Sequence, residues 1–451
     1  MSLSALSSTP LSAAEAPRFR SFGPHHVDEV AARYALPAHL LDSVRVIAQV
    51  LPFRVNEYVL SHLVDWGRIP DDPIFQLVFP QRGMLSDDDE RELSGLLRDG
   101  RKKELREAVG RIRAGLNPHP SGQMQLNVPS LEGTQLPGMQ HKYRETVLYF
   151  PQQGQTCHAY CTYCFRWAQF VGDADLRFAA PGPEQLVRYL RNHPAVTDVL
   201  VTGGDPMIMS TERLRSHLEP ILSVDTVRTI RIGTKSVAYW PYRFTTDTDA
   251  DDVLRLFEQV VASGRALAVM AHFSHPRELE TAQARLALSR IRSTGAIVYC
   301  QAPLIKHVND DPKVWAEMWR GQLAAGLVPY YMFVERDTGP REYFKVPLAR
   351  AAEIFQAAYR TLPGLARTVR GPSMSATPGK VLVDGVEEDL DGRWFRLRMA
   401  QARNPELVGR PFRARFSAEA SWLDELEIDP ATPADILAAV TGTAPKTPVR
   451  G

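Results

Sequence analysis

The stretch "DVLVTGGDPMIMSTERLRSHLEPIL", residues 198–222, joins a short run of β-branched residues to a longer amphipathic segment. The first part, which ends in Gly-Gly, predicts a buried strand, and the second part predicts a helix. A strand followed at once by a helix is the repeating unit of a parallel sheet with helical crossovers. The fold therefore depends on whether neighbouring parts of the chain repeat this unit.

The unit recurs on both sides of this stretch. Six strand runs lie between residues 146 and 334: TVLYF (146–150), DVLVTGG (198–204), VRTIRIG (227–233), ALAVMAHF (266–273), AIVYCQAP (296–303) and PYYMFV (329–334). Helix-length segments separate them, and short connections of this kind favour parallel strands with right-handed crossovers. We therefore predict an α/β fold, a partial (β/α)6 barrel whose active site lies at the carboxyl ends of the strands.

The rest of the chain divides around this barrel, which we expect to span residues 141–386. Residues 1–25 are rich in Ser and Ala and predict a disordered tail, with a transit peptide as the weaker alternative. Residues 26–140 predict a helical N-terminal region followed by a linker rich in Pro and Gly. Residues 387–451 are polar and predict an irregular C-terminal extension.

Composition excludes several classes of protein. The 451 residues carry 53 Lys and Arg against 52 Asp and Glu, a formal net charge of +1. No basic field of the kind that binds nucleic acid results, so we expect no nucleic-acid partner. The apolar runs fall far short of the ~20 residues that cross a bilayer, so we expect no membrane partner. Four cysteines form no disulfide framework, and we expect a cytoplasmic protein.

Three of the four cysteines lie in "GQTCHAYCTYCFRW", residues 154–167, directly after the first strand. They are Cys157, Cys161 and Cys164. Thiolates on one loop suit a metal, but structural zinc normally takes four ligands. Cys300 lies far along the chain, and His158 adjoins Cys157 too closely for easy joint ligation. An iron–sulfur cluster with one open iron explains three cysteines better, with a structural zinc loop as the alternative.

The C-x3-C-x2-C spacing, its place after the first strand and the aromatic residue between the last two cysteines resemble the radical S-adenosylmethionine (SAM) superfamily. The resemblance implies a 4Fe–4S cluster on these cysteines that splits SAM into methionine and a 5′-deoxyadenosyl radical. It also implies an electron donor such as flavodoxin or ferredoxin. The segment "VTGGDPM" is similar to the superfamily's glycine-rich segment, which implies SAM contacts at Gly203, Gly204 and Asp205.

Five further blocks occur in order within residues 141–386: HKYRETVLYF, RIGTKSVAYWPYR, AHFSHPREL, QAPLIKHVND and VPYYMFVERDTG. On these blocks the chain is identified as a member of the lysine 2,3-aminomutase family. The resemblance implies an isomerase, an intramolecular aminotransferase that moves an α-amino group to the β-carbon. It also implies pyridoxal 5′-phosphate (PLP), because an amine migrates more easily as an imine, and the cofactor carries this chemistry.

The resemblance assigns three residues to PLP. Lys380, in the segment "SATPGK", corresponds to the lysine that holds PLP as a Schiff base. Lys142 and Tyr143 correspond to the cationic and aromatic residues at the PLP phosphate.

Two positions depart from the family pattern at this site. A phosphate-side arginine of the family falls on Thr146, and a tyrosine that contacts PLP falls on Phe333. Of the four glycines in the family's glycine-rich element, only Gly379 remains. These departures leave open a PLP-independent radical SAM enzyme, in which Lys380 is a surface lysine after a Pro-Gly turn. A zinc-binding interaction module is the alternative outside enzymes.

The substrate is read from the residues that would contact it. Arg166 matches the family arginine that binds the α-carboxylate, for which its fork-shaped guanidinium is suited. Where lysine-acting members carry two aspartates for the distal ammonium, this chain has Arg336 and Ser373. A cation there would repel lysine and favours a substrate whose side chain ends in a carboxylate, as in glutamate, or in an acyl or polar group. If the loop shifts by one residue, Glu335 or Asp337 would take this place and lysine would be the substrate, as in β-lysine synthesis for the modification of elongation factor P. The sequence leaves open whether the protein forms a homo-oligomer.

Overall fold

The computed structural model describes residues 17–118, 127–173 and 175–442. The α-helices of this part are α1 (Val27–Tyr34), α2 (Ala38–Ile47), α3 (Pro73–Val78), α4 (Asp87–Arg98), α5 (Lys102–Leu116), α6 (Glu184–Asn192), α7 (Thr211–Leu222), α8 (Ser236–Tyr239), α9 (Ala250–Ala262), α10 (Arg277–Glu280), α11 (Ala282–Ser293), α12 (Pro312–Ala324), α13 (Arg341–Phe344), α14 (Leu348–Arg360) and α15 (Ala434–Thr441). Within the described ranges, no helix has both the length and the apolar character to cross a bilayer.

The β-strands of the described residues follow the same chain order. They are β1 (Ser21–Phe22), β2 (Val55–Asn56), β3 (Ser130–Leu131), β4 (Thr134–Gln135), β5 (Met139–Tyr143), β6 (Thr146–Tyr149), β7 (Asp198–Val201), β8 (Thr229–Thr234), β9 (Ala266–His272), β10 (Ile297–Leu304), β11 (Val328–Val334), β12 (Arg370–Ser375), β13 (Gly379–Asp389), β14 (Gly392–Ala402) and β15 (Pro411–Arg415).

One sheet of eleven strands, in the order β15 to β5, forms the centre of the fold. Strands β6 to β12 are parallel, while β5 at one edge and β13 to β15 at the other are antiparallel. Helices α6, α7, α9, α11, α12 and α14 connect successive parallel strands. The predicted α/β architecture is confirmed: the six predicted runs are β6 to β11, and β12 adds a seventh parallel strand. Because β14 also contacts β5, the sheet curves into a partial barrel.

The period-2 pattern of β8 explains how one strand serves both the core and the interior of the barrel. Ile230 and Ile232 are fully buried in the hydrophobic core. Arg231 and Gly233, which point to the other face, line the central cavity. Strand β8 therefore carries its cavity-lining residues on the face opposite its two buried isoleucines.

Part of the segment that was predicted to be a disordered tail packs against the rest of the protein. Residues 1–16 lie outside the described residues, but residues 17–25 are ordered, which corrects the prediction of a disordered tail to residue 25. Strand β1 pairs with β2, and Phe22 is only 1% exposed. Phe19 packs edge-on against Trp240, with ring centroids 5.0 Å apart. Burial of the Phe22 ring and the edge-on contact of Phe19 thus hold this segment against the barrel.

The C-terminal extension was predicted to be irregular, and this part of the prediction is wrong for its described residues. The segment "RWFRLRMAQA", residues 393–402, alternates buried Phe395, Leu397 and Met399 with arginines, the pattern of a strand. It forms β14, and β15 follows it in the same sheet. The expected domain boundary after residue 386 therefore falls inside β13, and barrel and extension share one sheet.

Candidate active site

A cavity of about 630 Å³ lies at the carboxyl ends of the parallel strands, where the connecting loops begin. Its wall contains all but one of the predicted site residues: Lys142, Tyr143, Cys157, Cys161, Cys164, Arg166, Gly203, Gly204, Asp205, Arg336 and Lys380. Ser373 does not line it. The topology thus brings residues from the whole length of the barrel to the place where such folds carry their active sites.

The cysteine loop is fixed to the N-terminal region by backbone hydrogen bonds. The Tyr160 amide donates to the Arg54 carbonyl at 2.8 Å, and the Thr162 amide donates to the Leu77 carbonyl at 2.9 Å. Burial, together with the neighbouring Cys161, raises the pKa of the Cys164 thiol to about 12. Buried thiols ionise when bound iron compensates their charge, so this set of donors fits an iron–sulfur cluster. In the described part of the chain, no His, Cys, Asp or Glu side chains are gathered into a ready single-ion site.

The predicted SAM-contacting glycines lie directly against the cysteine loop. A Cβ added to Gly204 would come within 2.5 Å of the Thr156 carbonyl oxygen. Gly203, with φ +153°, would place a Cβ 2.3 Å from Gln155 Nε2. Only glycine permits this approach. The Gly-Gly pair therefore lets the end of β7 support the backbone that carries Cys157.

We expect Gly204→Ala to displace the cysteine loop, because the added methyl group meets backbone atoms that cannot turn away. The loss of folding free energy should be about 1–3 kcal/mol, as for other overpacked sites. Thermal unfolding and iron content after reconstitution measure the effect. Gly110→Ala in α5, where a Cβ meets nothing within 4 Å, is the control. Equal stability and iron content in the two variants would contradict the supporting role of Gly204.

Asp205 connects the ends of β7 and β8. Its carboxylate accepts hydrogen bonds from Thr234 Oγ1 at 2.7 Å and Ser236 Oγ at 2.9 Å. The backbone amides of Met207 and Lys235 donate to it at 2.9 and 2.8 Å. Since both oxygens already accept hydrogen bonds, the arrangement favours a positioning role for Asp205, rather than the direct SAM contact that the sequence predicts.

A buried ion pair lies beside the cysteines and was missed by sequence reasoning. Lys235 Nζ lies 2.7 Å from Glu278 Oε1, and the Glu278 side chain is 0% exposed. The Lys235 ammonium also lies 4.5 Å from the ring centroid of Tyr239. The Cys161 Sγ is 3.7 Å from the Tyr239 hydroxyl. The pair thus places a fixed cation next to the residues around Cys161.

Arg166 is held in a polar cradle beside the cysteines. Its Nη2 donates to Gln155 Oε1 at 3.1 Å and to Gln169 Oε1 at 2.6 Å. The guanidinium lies 4.3 Å from the Phe150 ring centroid, and burial lowers its pKa to about 10. Its Nε has no hydrogen-bond partner among the described residues. The cradle contains amides but no carboxylate, which fits a ligand that supplies one.

Lys380, at the start of β13, lines the same cavity as the cysteine loop. Its Nζ lies 4.4 Å from the Tyr331 ring centroid. Burial, with a further contribution from Arg231 and Arg370, lowers its pKa to about 7. A large fraction of the amine is therefore neutral near pH 7, the form that attacks a carbonyl group. This property fits the lysine of a PLP site.

The residues around Lys380 form a cationic wall. Lys142 Nζ donates to the Ala376 carbonyl, and burial together with Arg336 and Arg403 holds the Lys142 pKa well below its usual range. Arg403, which sequence reasoning missed, also lines the cavity. Buried cations that depress one another's pKa favour an anionic ligand. A phosphate group fits this wall.

The part of the cavity wall that follows β11 carries charges of both signs. Arg336 Nε lies 3.7 Å from Asp337 Oδ1, and its guanidinium lies 5.6 Å from the ring centroids of both Phe165 and Trp422. Glu335 is buried, and neither of its carboxylate oxygens has a hydrogen-bond partner in the described part of the chain. Burial raises the pKa of Glu335 well above its usual range. Glu335 was an alternative in the sequence prediction, and the structure places it in the cavity wall.

Ser373 lies away from the cavity. It is fully buried in β12, where it pairs with Phe333 on one side and Leu382 on the other. Ser375, two residues later, is the serine of this strand that lines the cavity. The placement favours Ser375 over Ser373 as the polar group of β12 that a ligand meets.

The chain is similar in sequence to proteins named as L-lysine 2,3-aminomutases. No protein-family profile matches the chain. A protein of Aquifex aeolicus named "Putative L-lysine 2,3-aminomutase" is 31% identical over 381 residues, 84% of this chain and 88% of that protein. The L-lysine 2,3-aminomutases of Fusobacterium nucleatum and Clostridium subterminale are 26% and 27% identical, over matches that span 50% of each relative. The crystal structure of Streptococcus suis SuiB aligns with 56% of this chain and 51% of its own, at 12% identity and a TM-score of 0.33.

Proposed function

Because the chain belongs to the lysine 2,3-aminomutase family of the radical SAM superfamily, we propose that it is an amino acid 2,3-aminomutase that depends on both SAM and PLP. The observation that carries the proposal is the position of Lys380. A lysine with a pKa of about 7 lines the same cavity as the three clustered cysteine thiols. One cavity therefore offers residues for both cofactors.

The proposal gives each group of residues a task. Family membership implies a 4Fe–4S cluster and SAM, which supply a 5′-deoxyadenosyl radical, while PLP supplies the π bond through which an amine migrates. Cys157, Cys161 and Cys164 hold the cluster, which receives its electron from a donor such as flavodoxin or ferredoxin. Arg166 binds the substrate α-carboxylate with the guanidinium edge that its glutamine cradle leaves open. Lys380 holds PLP covalently.

We propose a small amino acid with an acidic side chain as the substrate. Arg336 supplies a cation to the cavity wall, with its guanidinium 5.6 Å from the ring centroids of both Phe165 and Trp422. The raised pKa of Glu335 favours its neutral form, whose hydroxyl donates a hydrogen bond to a carboxylate. Both groups thus suit a side chain that ends in a carboxylate, as in glutamate.

Lysine is the second candidate substrate, and Glu335 is the observation that favours it. An ammonium group placed beside this buried carboxyl would stabilise its ionised form. Arg336 in the same part of the cavity wall opposes that arrangement by charge repulsion. The balance between these two neighbouring residues therefore decides which substrate is bound.

Reductive labelling tests the PLP site. We expect PLP, added to anaerobically reconstituted protein and trapped with borohydride, to label Lys380, and the label to be absent in Lys380→Ala. Because only the neutral amine attacks the aldehyde, the initial rate of labelling should rise as the pH increases through about 7, the Lys380 pKa. Peptide mapping locates the label.

Lys345 provides the control for this experiment. It lies on the surface, paired with Glu342 at 2.5 Å, and Lys345→Ala should label as the wild type does. Protein that cleaves SAM but forms no borohydride-stable PLP adduct at Lys380 would contradict the aminomutase proposal. That result would favour a PLP-independent radical SAM enzyme.

A further inference from the structure

Four cations of the cavity wall fall into two groups. Arg231 and Lys235 have their own carboxylate partners: Arg231 Nε donates to Asp198 at 2.9 Å, and Lys235 pairs with Glu278. Lys142 and Arg403 have no carboxylate partner among the residues that the structure describes. Buried charge is usually paired, so the second group calls for an anionic ligand.

Arg403 and Lys142 both donate hydrogen bonds to the turn between β12 and β13. Arg403 directly follows β14, and its Nε donates to the Thr377 carbonyl at 3.3 Å while its Nη2 donates to Asn127 Oδ1. Lys142, in β5, donates to the carbonyl of Ala376 in that turn. All of these partners are neutral oxygens. Both side chains are therefore held in place with their charges uncompensated.

Thr146 explains why a second cation is needed from elsewhere. The family pattern has a phosphate-side arginine at this position, whereas the Thr146 hydroxyl donates to Asp198 Oδ2 at 2.9 Å. Asp198 in turn binds Arg231, so this group of residues is electrically balanced. Neither Thr146 nor this balanced group therefore supplies an unpaired cation next to Lys142.

We infer that Arg403, contributed by the C-terminal extension, is the second cation of a phosphate-monoester site whose first cation is Lys142. The inference rests on the proposed function, since the ligand is the phosphate of PLP. The guanidinium fork suits two phosphate oxygens, and the hydroxyl groups of Ser375 and Thr377 lie in the same wall. The extension thus completes the cofactor site of the barrel.

Affinities for PLP and for pyridoxal, which lacks the phosphate, test the inference without reference to activity. Equilibrium dialysis and absorbance titration of the full chain measure both. We expect Arg403→Met to weaken PLP binding about 10- to 100-fold, the loss for a charged hydrogen bond, and to leave pyridoxal binding unchanged. Arg403→Lys should recover part of the loss. Arg396→Met, at a 57% exposed arginine of the same strand, should bind both as the wild type does.

Each other outcome has a definite meaning. An unchanged ratio of PLP to pyridoxal affinity in Arg403→Met would overturn the inference and leave the proposed function standing. Equal weakening of both ligands would assign Arg403 to the support of the turn and also overturn it. If the wild type binds neither ligand, the proposed function fails. In that case, titration with inorganic phosphate, followed by ³¹P NMR, tests the anion site alone. Phosphate binding that is lost in Arg403→Met would support the site. No phosphate binding to the wild type would overturn the inference.

Discussion

Cys161→Ala should purify and reconstitute with almost no iron, whereas the wild type should hold about four iron atoms and four acid-labile sulfides per chain. Removal of one thiolate leaves two ligands on a loop that supplies three, and two cannot retain the cluster. Reductive cleavage of SAM should be lost with it, because the electron reaches SAM through the open iron. Iron and sulfide analysis, with detection of 5′-deoxyadenosine, measures both effects.

Cys300 is the matched control, as the one cysteine outside the cluster motif. It lies in β10, is 2% exposed, and burial raises the pKa of its thiol. Cys300→Ala should keep its iron and its SAM cleavage and lose only a small amount of stability. Zinc in place of iron in the wild type, or full iron in Cys161→Ala, would contradict the assignment of the three cysteines.

The parallel core was predictable because its signals are local. Each of the strands β6 to β11 is a short apolar run, and each is followed by an amphipathic helix that covers it, as with Ile230 and Ile232 in β8. Strand β14 was missed because its arginines made the segment look polar, although the period-2 burial of Phe395, Leu397 and Met399 was present. The arginines lie on the face opposite these apolar residues, where their charged groups stay in contact with water.

The candidate site also contains residues that a local sequence pattern predicts and residues that only the tertiary fold brings in. The cysteine spacing lies within one loop, so sequence alone placed Cys157, Cys161 and Cys164 together. Arg403 and Lys142 meet across the sheet only because β14 folds back against β5, which no local pattern states. Ser373 does not line the cavity, whereas Ser375, two residues nearer the carboxyl end of β12 and on the same face of the strand, does. No local pattern states how far along a strand the cavity reaches.

Arg336→Met and Glu335→Gln should have opposite consequences for the two candidate substrates. With glutamate, Arg336→Met should lower kcat/KM about 100-fold, since it removes a charged hydrogen bond to the side-chain carboxylate. Glu335→Gln should change it little, because burial favours the neutral carboxyl and an amide of the same shape also donates a hydrogen bond. Rates of β-amino acid formation under anaerobic conditions, measured for each substrate, provide the comparison.

With lysine as substrate the expectation reverses, and this reversal makes the pair of variants decisive. Glu335→Gln should then abolish most activity, because the substrate ammonium loses the Glu335 carboxylate as its partner. Arg336→Met should increase activity, because it removes a repulsive charge. Arg350→Met, at a surface residue of α14 paired with Glu353, is the control. Activity on glutamate that survives Arg336→Met would refute the acidic-substrate proposal, since that proposal requires Arg336 to bind the side-chain carboxylate.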